Sequence, residues 1–229
     1  MTEVRNLGES DVQKSVVLAT IRLLADIGPE ALQVRRVASA VGVSSMVVYS
    51  RFGGMPQLVE AVIAEGFWQL SARFAELTAT GDPICDMSRL AIAYHEFGRA
   101  NPHLYDLMFG LSTPGGYRQI SRPTRTPGGD GGTALDEAYQ PLMQYVKQAI
   151  REKRIRRQEP DRIAAEIWSF VHGFTALELG GYFAQFKDPI VEVFASLIIH
   201  VAVGLGDSQQ RARKSVTSAI SLSRRQDGS

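Results

Sequence analysis

The sequence predicts an all-α protein with two domains. Apolar residues recur every three or four positions through most of the chain, as in helices that bury one face. Glycine or proline interrupts this pattern at intervals. No segment stands out as a strand candidate, and no internal repeat is found. At 229 residues and 45% hydrophobic composition, the chain is long enough to bury a sizeable core.

The N-terminal part of the sequence predicts three short helices. The first spans residues 11–27 and ends where Gly28-Pro29 interrupts the pattern. The second follows Leu32 and Gln33 and runs to about Val41, and the third covers residues 45–51. A longer helix over residues 56–78 is then expected to connect these three to the rest of the chain.

The second and third helices have the spacing of a helix-turn-helix. Ala38 is small where the two helices must cross, and Gly42 lies where the turn needs a positive φ. Val48 fills the angle between the helices. Ser44 follows the turn and is expected to cap the third helix with its hydroxyl.

In a helix-turn-helix, the second helix of the motif enters the DNA major groove. The candidates for DNA contact there are Ser44, Ser45, Met46, Val47, Tyr49, Ser50 and Arg51. Packing against the flank of the motif is the alternative for Tyr49. Arg35 and Arg36 are candidates for phosphate contact, with a solvated surface position as the alternative. The motif has three arginines and no acidic residue, and this local positive charge favours a polyanionic partner.

This region resembles the TetR (AcrR) family of bacterial repressors over roughly residues 16–64. The family pattern GVSxxxxYxxFxxKxxL is matched by GVSSMVVYSRFGGMPQL at Gly42, Val43, Ser44, Tyr49, Phe52 and Leu58. The resemblance implies that Tyr49 and Arg51 contact phosphates and that Ser45 and Met46 lie where bases are read. Met55 departs from the pattern, because many members have a phosphate-binding lysine there.

Helical spacing continues to residue 205. Further helices are predicted over residues 82–101, 103–111, 133–153, 161–186 and 189–204. Residues 112–132 are rich in glycine and proline and are expected to form a loop. Its Arg118, Arg122 and Arg125 are interpreted as solvated, with a second nucleic-acid contact as the alternative. The expected domains are residues 10–55 for DNA binding and 56–205 for ligand binding and dimerisation. Residues 206–229 are expected to be a mobile basic tail, with a further helix as the alternative.

An aromatic and methionine set is the candidate lining of a ligand cavity in the C-terminal half. Its members are Tyr94, Phe97, Tyr105, Met108, Phe109, Met143, Trp168 and His172. Plain core packing is the alternative for each of them. It is weakest for His172, because a buried imidazole needs a partner, which a ligand can supply. The segment EIWSFVHGFTALE also resembles a TetR subgroup with a Trp-x3-His-Gly motif.

The last two long predicted helices are candidates for dimerisation. Residues 161–186 are apolar nearly all round, which predicts a helix covered on opposite sides. In the TetR family, two such helices from each chain form a four-helix interface, and the resemblance implies the same here. The candidate interface residues are Phe174, Leu177, Gly181, Ile190, Phe194, Leu197, Ile198 and Val201.

Other classes of protein find little support in the sequence. The four histidines, at positions 95, 103, 172 and 200, lack the spacing of a catalytic or metal-binding set, so we expect no catalytic residue, metal or cofactor. The single cysteine, Cys85, excludes an intrachain disulfide. No signal pattern and no run of about eighteen apolar residues occurs, so we expect a cytoplasmic protein without a membrane partner.

The sequence therefore predicts a DNA-binding transcriptional regulator that responds to a ligand. The expected partners are a palindromic double-stranded DNA operator, a second copy of the chain and a small apolar or amphipathic molecule that releases the operator. Repression rather than activation is implied by the resemblance alone. The alternatives are an architectural DNA-binding protein and a helical ligand-binding protein without a DNA function, and the large apolar C-terminal half disfavours the architectural one.

Overall fold

The computed structural model describes residues 9–111 and 132–226, and within these ranges all regular secondary structure is helical. The α-helices are α1 (Glu9–Ile27), α2 (Val34–Ala40), α3 (Ser45–Phe52), α4 (Met55–Ala75), α5 (Pro83–Ala100), α6 (Pro102–Phe109), α7 (Ala134–Arg151), α8 (Pro160–Leu179), α9 (Ala195–Leu205) and α10 (Gln209–Gln226). A 3-10 turn, Pro29–Ala31, precedes α2, and a π-helical turn, Ile190–Phe194, leads into α9. The predicted all-α fold is confirmed. The predicted loop with its three arginines lies, apart from Gly132, outside the described residues.

The described residues form two compact units. The first contains residues 9–69, 101–111 and 133–135, and the second contains residues 70–100, 132 and 136–226. Helix α6 thus belongs to the same unit as the helix-turn-helix, where it packs against α1. The predicted DNA-binding domain, residues 10–55, lies within the first unit, which also includes residues 56–69 and α6.

The first unit has a core of aliphatic and aromatic side chains. Val16 and Leu24 of α1 and Leu58 and Val62 of α4 are buried there. Tyr105 of α6 is also fully buried. These positions recur at helical spacing along each helix, so the apolar faces that the sequence predicts are the faces that the unit buries.

The second unit is organised around α5. Every residue from Pro83 to Gly98 except Glu96 is buried, so this helix is covered on all sides. Helices α8 and α10 both pack against it. A central helix explains why α5 buries charged residues, including Asp86 and Arg89, that an amphipathic surface helix would expose.

Helix α8 ends at Leu179, seven residues earlier than predicted. Gly181 adopts a left-handed conformation with φ of +78°, and its N–H donates to the carbonyl of Glu178 over 2.9 Å. The N–H of Tyr182 donates to the carbonyl of Leu177 over 3.1 Å. These two bonds form the C-terminal motif that a glycine in this position favours. The prediction that the helix continues to residue 186 is wrong because it followed the apolar pattern past Gly180-Gly181.

The expected mobile tail is largely a helix, α10, which packs against α5 and α9. Ala212, Val216 and Ala219 are buried on one face at spacings of four and three. The interpretation as a tail rested on polar and basic composition. Average composition does not show the narrow apolar stripe along one face of the helix. Such a stripe is enough to hold the helix in place when the neighbouring helix is itself apolar.

A buried ionic network holds the start of α10 in place. The Arg154 guanidinium donates to Asp207 Oδ2 over 2.7 Å, to Asp82 Oδ1 over 2.7 Å and to Ser215 Oγ over 3.0 Å. The Ser215 hydroxyl donates to Asp82 Oδ2 over 2.6 Å. Burial alone would raise the pKa of Asp82, but the Ser215 hydrogen bond and the charge of Arg154 outweigh it and lower that pKa. The network therefore joins the N-terminus of α5, the turn after α7 and α10.

Candidate DNA interface and effector site

The helix-turn-helix has the predicted internal geometry. Val37, Ala38 and Val48 are at most 2% exposed, so they form the contact between α2 and α3. Gly42 has a φ of +69°, which confirms the positive φ expected in the turn. The N–H of Val43 donates to the carbonyl of Ala38 over 3.0 Å and closes the turn. The angle between the helices is therefore set by buried residues, which leaves the outer face of α3 for another role.

The outer face of α3 carries the predicted DNA-contacting side chains. Met46 is 73% exposed and Tyr49 is 52% exposed, so Tyr49 does not pack into the flank of the motif. Ser44 and Ser50 are exposed, whereas Ser45, Val47 and Arg51 are half-buried. An exposed thioether and an exposed phenol on a short, well-supported helix are suited to contact another macromolecule.

The hydroxyls of Ser44 and Ser50 differ in their hydrogen bonding. Ser44 occupies the N-cap position of α3, but its hydroxyl makes no capping hydrogen bond, so the predicted cap is wrong. The N–H of Val47 instead donates to the backbone carbonyl of Ser44 over 3.0 Å. The Ser50 hydroxyl donates to the carbonyl of Val47 over 3.0 Å, so its oxygen remains an acceptor.

The residues at the predicted phosphate-contacting positions differ in exposure and in hydrogen bonding. Arg35 and Arg36 are exposed on α2, and Arg36 Nη1 donates to the carbonyl of Glu30 over 3.3 Å. The backbone carbonyl of Arg51 accepts from Gln13 Nε2 of α1 over 3.2 Å, which holds the end of α3 against α1. Met55, at the position of the family's lysine, is only 4% exposed and belongs to the core. The chain thus replaces a surface cation with a core side chain.

Two of the predicted pocket residues meet in the second unit. The Tyr94 hydroxyl lies 3.0 Å from Nδ1 of His172, within hydrogen-bonding distance. Burial lowers the pKa of His172, which favours the neutral imidazole at pH 7. Trp168 packs edge-on against Tyr139, with ring centroids 5.6 Å apart. The partner that a buried imidazole needs is therefore supplied to His172 by the protein itself, through the Tyr94 hydroxyl.

The other predicted pocket residues are buried in the core, except for Phe109, which is half-buried. Phe97 and Met143 are buried in the second unit. Tyr105, Met108 and Phe109 belong to the first unit, where Phe109 packs against Tyr105 and Phe67 with centroid distances of 4.8 Å and 5.6 Å. For these three residues the structure supports the alternative of core packing.

Three of the eight predicted dimer residues are buried within the chain. Phe174, Phe194 and Ile198 are 3%, 0% and 7% exposed, so their assignment to an exposed dimer face is wrong. Phe174 stacks on Phe194, and Phe183 stacks on Phe174. The helices are apolar nearly all round, and the sequence pattern did not show which side faces their own unit.

The other predicted dimer residues lie at the surface. Leu177 is 46% exposed and Gly181 is exposed, whereas Ile190, Leu197 and Val201 are half-buried. Sequence reasoning missed three exposed apolar neighbours, Tyr182, Val191 and Val203. The early end of α8 exposes Tyr182, and a correct position for that end would have revealed it.

Among the described residues, no group of three or more histidine, cysteine or acidic side chains is arranged to hold a metal ion. Within the same part of the chain, no helix is long and apolar enough to cross a membrane.

Family models match both halves of the chain. Residues 16–62 match the model described as bacterial regulatory proteins of the tetR family, and residues 87–201 match the tetracyclin repressor-like C-terminal domain. No curated protein matches the sequence.

Solved structures share the fold at low sequence identity. A protein of unknown function from Rhodococcus sp. RHA1 has 22% identity and a TM-score of 0.68, covering 90% of this chain and 100% of that one. RolR in complex with resorcinol has 11% identity and a TM-score of 0.59, covering 91% of this chain and 94% of that one. A single-substitution variant of TetR from Acinetobacter baumannii AYE, in complex with minocycline, has 14% identity and a TM-score of 0.58, covering 83% of this chain and 94% of that one. With its helix-turn-helix and its larger helical C-terminal part, this chain belongs to the tetR family of bacterial regulatory proteins, which are DNA-binding transcriptional regulators and not enzymes.

Proposed function

We propose that this protein is a transcriptional repressor that binds a palindromic operator as a homodimer and releases it when a small molecule binds. The outer face of α3 carries this proposal, because Met46 and Tyr49 are largely exposed on a helix whose other face is fixed by buried contacts. Two large side chains exposed close together on one short helix are suited to contact with a partner. The match of residues 16–62 to the tetR family model supports this assignment.

We assign base contacts to the first turn of α3 and phosphate contacts to its flanks. Ser44, Ser45, Met46 and Val47 occupy the N-terminal end that approaches base edges in this motif, and the Met46 side chain is suited to a thymine methyl group. The Ser50 oxygen is left as an acceptor, which suits an amino group of adenine or cytosine better than a phosphate. Tyr49, Arg51, Arg35 and Arg36 can donate to phosphate oxygens.

We assign effector binding to the part of the second unit around Tyr94, His172 and Trp168. Two polar groups in an aromatic setting fix the orientation of a small molecule, and the surrounding rings supply apolar contact area. The complexes of RolR with resorcinol and of the TetR variant with minocycline show that some proteins of this fold hold small molecules. The ligand here must favour a form of the protein that binds the operator less tightly.

We assign dimerisation to exposed and half-buried residues at the end of α8, in the π-helical turn and along α9. The surface consists of Leu177, Gly181, Tyr182, Ile190, Val191, Leu197, Val201 and Val203. Apolar side chains left at the surface in this number are suited to an obligate interface, which is more hydrophobic than the rest of a protein surface. Within this proposal, DNA binding resides in residues 10–55, the protein is cytoplasmic, and the Trp-x3-His-Gly segment marks its subgroup.

The direct test is selection of bound fragments from random DNA by the purified full chain. Repression from a palindrome predicts enriched sites with two inverted halves whose centres are about one helical turn apart, or a multiple of it. Fluorescence anisotropy on the recovered site then measures affinity with and without compounds from a screen. No enriched site would leave the chain as a ligand-binding protein without a DNA function, whereas a site that no compound releases would favour an architectural role.

A further inference from the structure

Helix α5 buries two charged side chains on one face. Asp86 and Arg89 are 3% and 4% exposed, and residues three positions apart in a helix are neighbours on its surface. A buried charge is costly unless hydrogen bonds or an opposite charge compensate it. Among the described residues, however, the two side chains form no ion pair with each other or with a third residue.

In each side chain, one polar atom has hydrogen-bond partners and another has none. Asp86 Oδ1 accepts from the Thr80 N–H over 2.9 Å and from the Thr80 hydroxyl over 2.8 Å, and Arg89 Nη1 donates to the carbonyl of Thr78. These bonds fix the connection between α4 and α5. Asp86 Oδ2 and Arg89 Nε are fully buried and have no hydrogen-bond partner in the described part of the chain. One face of α5 thus presents an unused acceptor and an unused donor.

A third polar group comes from α7. Tyr145 is half-buried, and burial followed by the negative charge of Asp86 raises the pKa of its phenol, while Arg89 acts in the opposite direction. A phenol that stays protonated can both donate and accept a hydrogen bond.

We propose that Asp86, Arg89 and Tyr145 form a polar binding site for an uncharged small molecule with a hydroxyl group. The hydroxyl donates to Asp86 Oδ2 and accepts from Arg89 Nε, so one group satisfies both buried atoms. The site lies in the same unit as Tyr94, His172 and Trp168, and the inference rests on the proposed function of a regulator that binds a small molecule.

The charges of the pair select against ionic ligands. Asp86 and Arg89 together are neutral, so a carboxylate or ammonium ligand would bring an uncompensated charge into the site. A carboxylate also has no proton to donate to Asp86, and an ammonium has no lone pair to accept from Arg89. An ether of the same size can accept but cannot donate. Water can both donate and accept a hydrogen bond, so the test must distinguish a ligand hydroxyl from a bound water molecule.

The test uses the full chain and four probes of similar size: 1-octanol, phenol, octanoate and the methyl ether of phenol. Calorimetry and thermal shift measure their binding to the wild type, to Asp86→Asn and to Tyr145→Phe. Asp86→Asn keeps an acceptor for Thr80 but places a donor where the ligand hydroxyl would donate. Ser88→Ala is the matched control, because it removes a buried hydroxyl of the same helix that donates to the carbonyl of Ile84.

The expected result is that an alcohol or phenol binds, that the ether and octanoate bind at least about tenfold more weakly, and that Asp86→Asn loses at least about tenfold in affinity, the effect of one hydrogen bond to a charged group. Tyr145→Phe should weaken binding less, and Ser88→Ala should match the wild type. If Asp86→Asn fails to fold, Tyr145→Phe decides on its own.

Equal binding of ether and alcohol, or no binding of any hydroxyl probe, would overturn the proposal and assign these atoms to bound water. Operator affinity is measured in parallel without any probe. Normal operator binding with no probe binding would refute this site alone. Probe binding without any operator affinity would instead refute the proposed repressor function.

Discussion

Phe174 of α8 stacks face to face on Phe194, with ring centroids 4.2 Å apart and planes 13° apart. His95 of α5 lies beside both rings, at 5.4 Å and 6.2 Å between centroids. This cluster joins α5, α8 and the start of α9 within one chain. The dimer surface of the proposed function must therefore lie on the opposite side of these helices, and variants can separate the two faces.

Substitution of Phe194 should unfold the protein rather than dissociate a dimer. Phe194→Glu places a carboxylate at a position that is 0% exposed, so the free energy of unfolding should fall by several kcal/mol. Leu177→Glu and Val203→Glu change exposed positions and should give folded monomers. Circular dichroism with light scattering distinguishes these outcomes. A folded, monomeric Phe194→Glu variant would restore Phe194 to the interface.

Variants on α3 should weaken operator binding without loss of the fold. Arg51→Ala and Tyr49→Phe each remove a donor to phosphate, and Arg51→Ala should lower the salt dependence of binding by about one unit in the log–log slope. Arg213→Ala, which removes an exposed arginine from α10, is the charge-matched control. The operator can be the site recovered by selection. Wild-type affinity in both α3 variants would place the DNA-contacting surface elsewhere.

Met46→Ala should act on specificity more than on general affinity. The side chain is exposed at the first turn of α3, where this motif approaches base edges. Loss of one apolar base contact should cost about 1–3 kcal/mol on the selected site and little on random DNA. Competition between the two DNAs measures the ratio directly. An equal loss on both would show that Met46 serves only to position the helix.

Loss of Arg154 should release α10. Arg154→Met leaves Asp207, which is 5% exposed, with only the longer contact of 3.8 Å to Arg211 Nε, and breaking a buried ion pair in this way costs about 3–5 kcal/mol. Urea unfolding should show the loss, and limited proteolysis should cleave near α10 first. Arg213→Ala again serves as the control. An unchanged unfolding curve would mean that the apolar face of α10 alone holds the helix.

Stability should fall as the pH drops below neutral. Burial lowers the pKa of His95, an effect that Glu178 only partly opposes and Arg99 adds to, and burial likewise lowers the pKa of His172. The unfolded chain then binds more protons than the folded chain, so this contribution is complete above the unfolded pKa of about 6.5 and is lost as the pH falls below it.

Thermal unfolding between pH 8 and pH 5 tests this expectation, since the melting temperature should decrease toward the acid end. His95→Gln can still donate to Glu178 and should show a flatter profile. His200→Gln, which removes an exposed histidine of α9, is the control for histidine loss. A profile for His95→Gln as steep as that of the wild type would show that His95 is not the group responsible.

Local sequence alone determined the helix-turn-helix and the helical class. Ala38, Gly42 and Val48 lie within eleven positions of one another, and their sizes and conformational preferences specify the turn without help from the rest of the chain. The outward position of Met46 and Tyr49 follows, because Val48 between them must point inward. The same local rules found nearly all the helices, since each has its own apolar period.

Only the tertiary structure decided which faces of the later helices are buried and which charges are paired. Helix α8 is apolar nearly all round, so its period does not distinguish the side that stacks Phe174 on Phe194 from the side that exposes Leu177. Asp82 and Ser215 bond across 133 positions of sequence, and no local pattern specifies that pairing. A helix pattern records which positions are apolar, whereas burial depends on which other helix covers them, and that is settled by long-range packing.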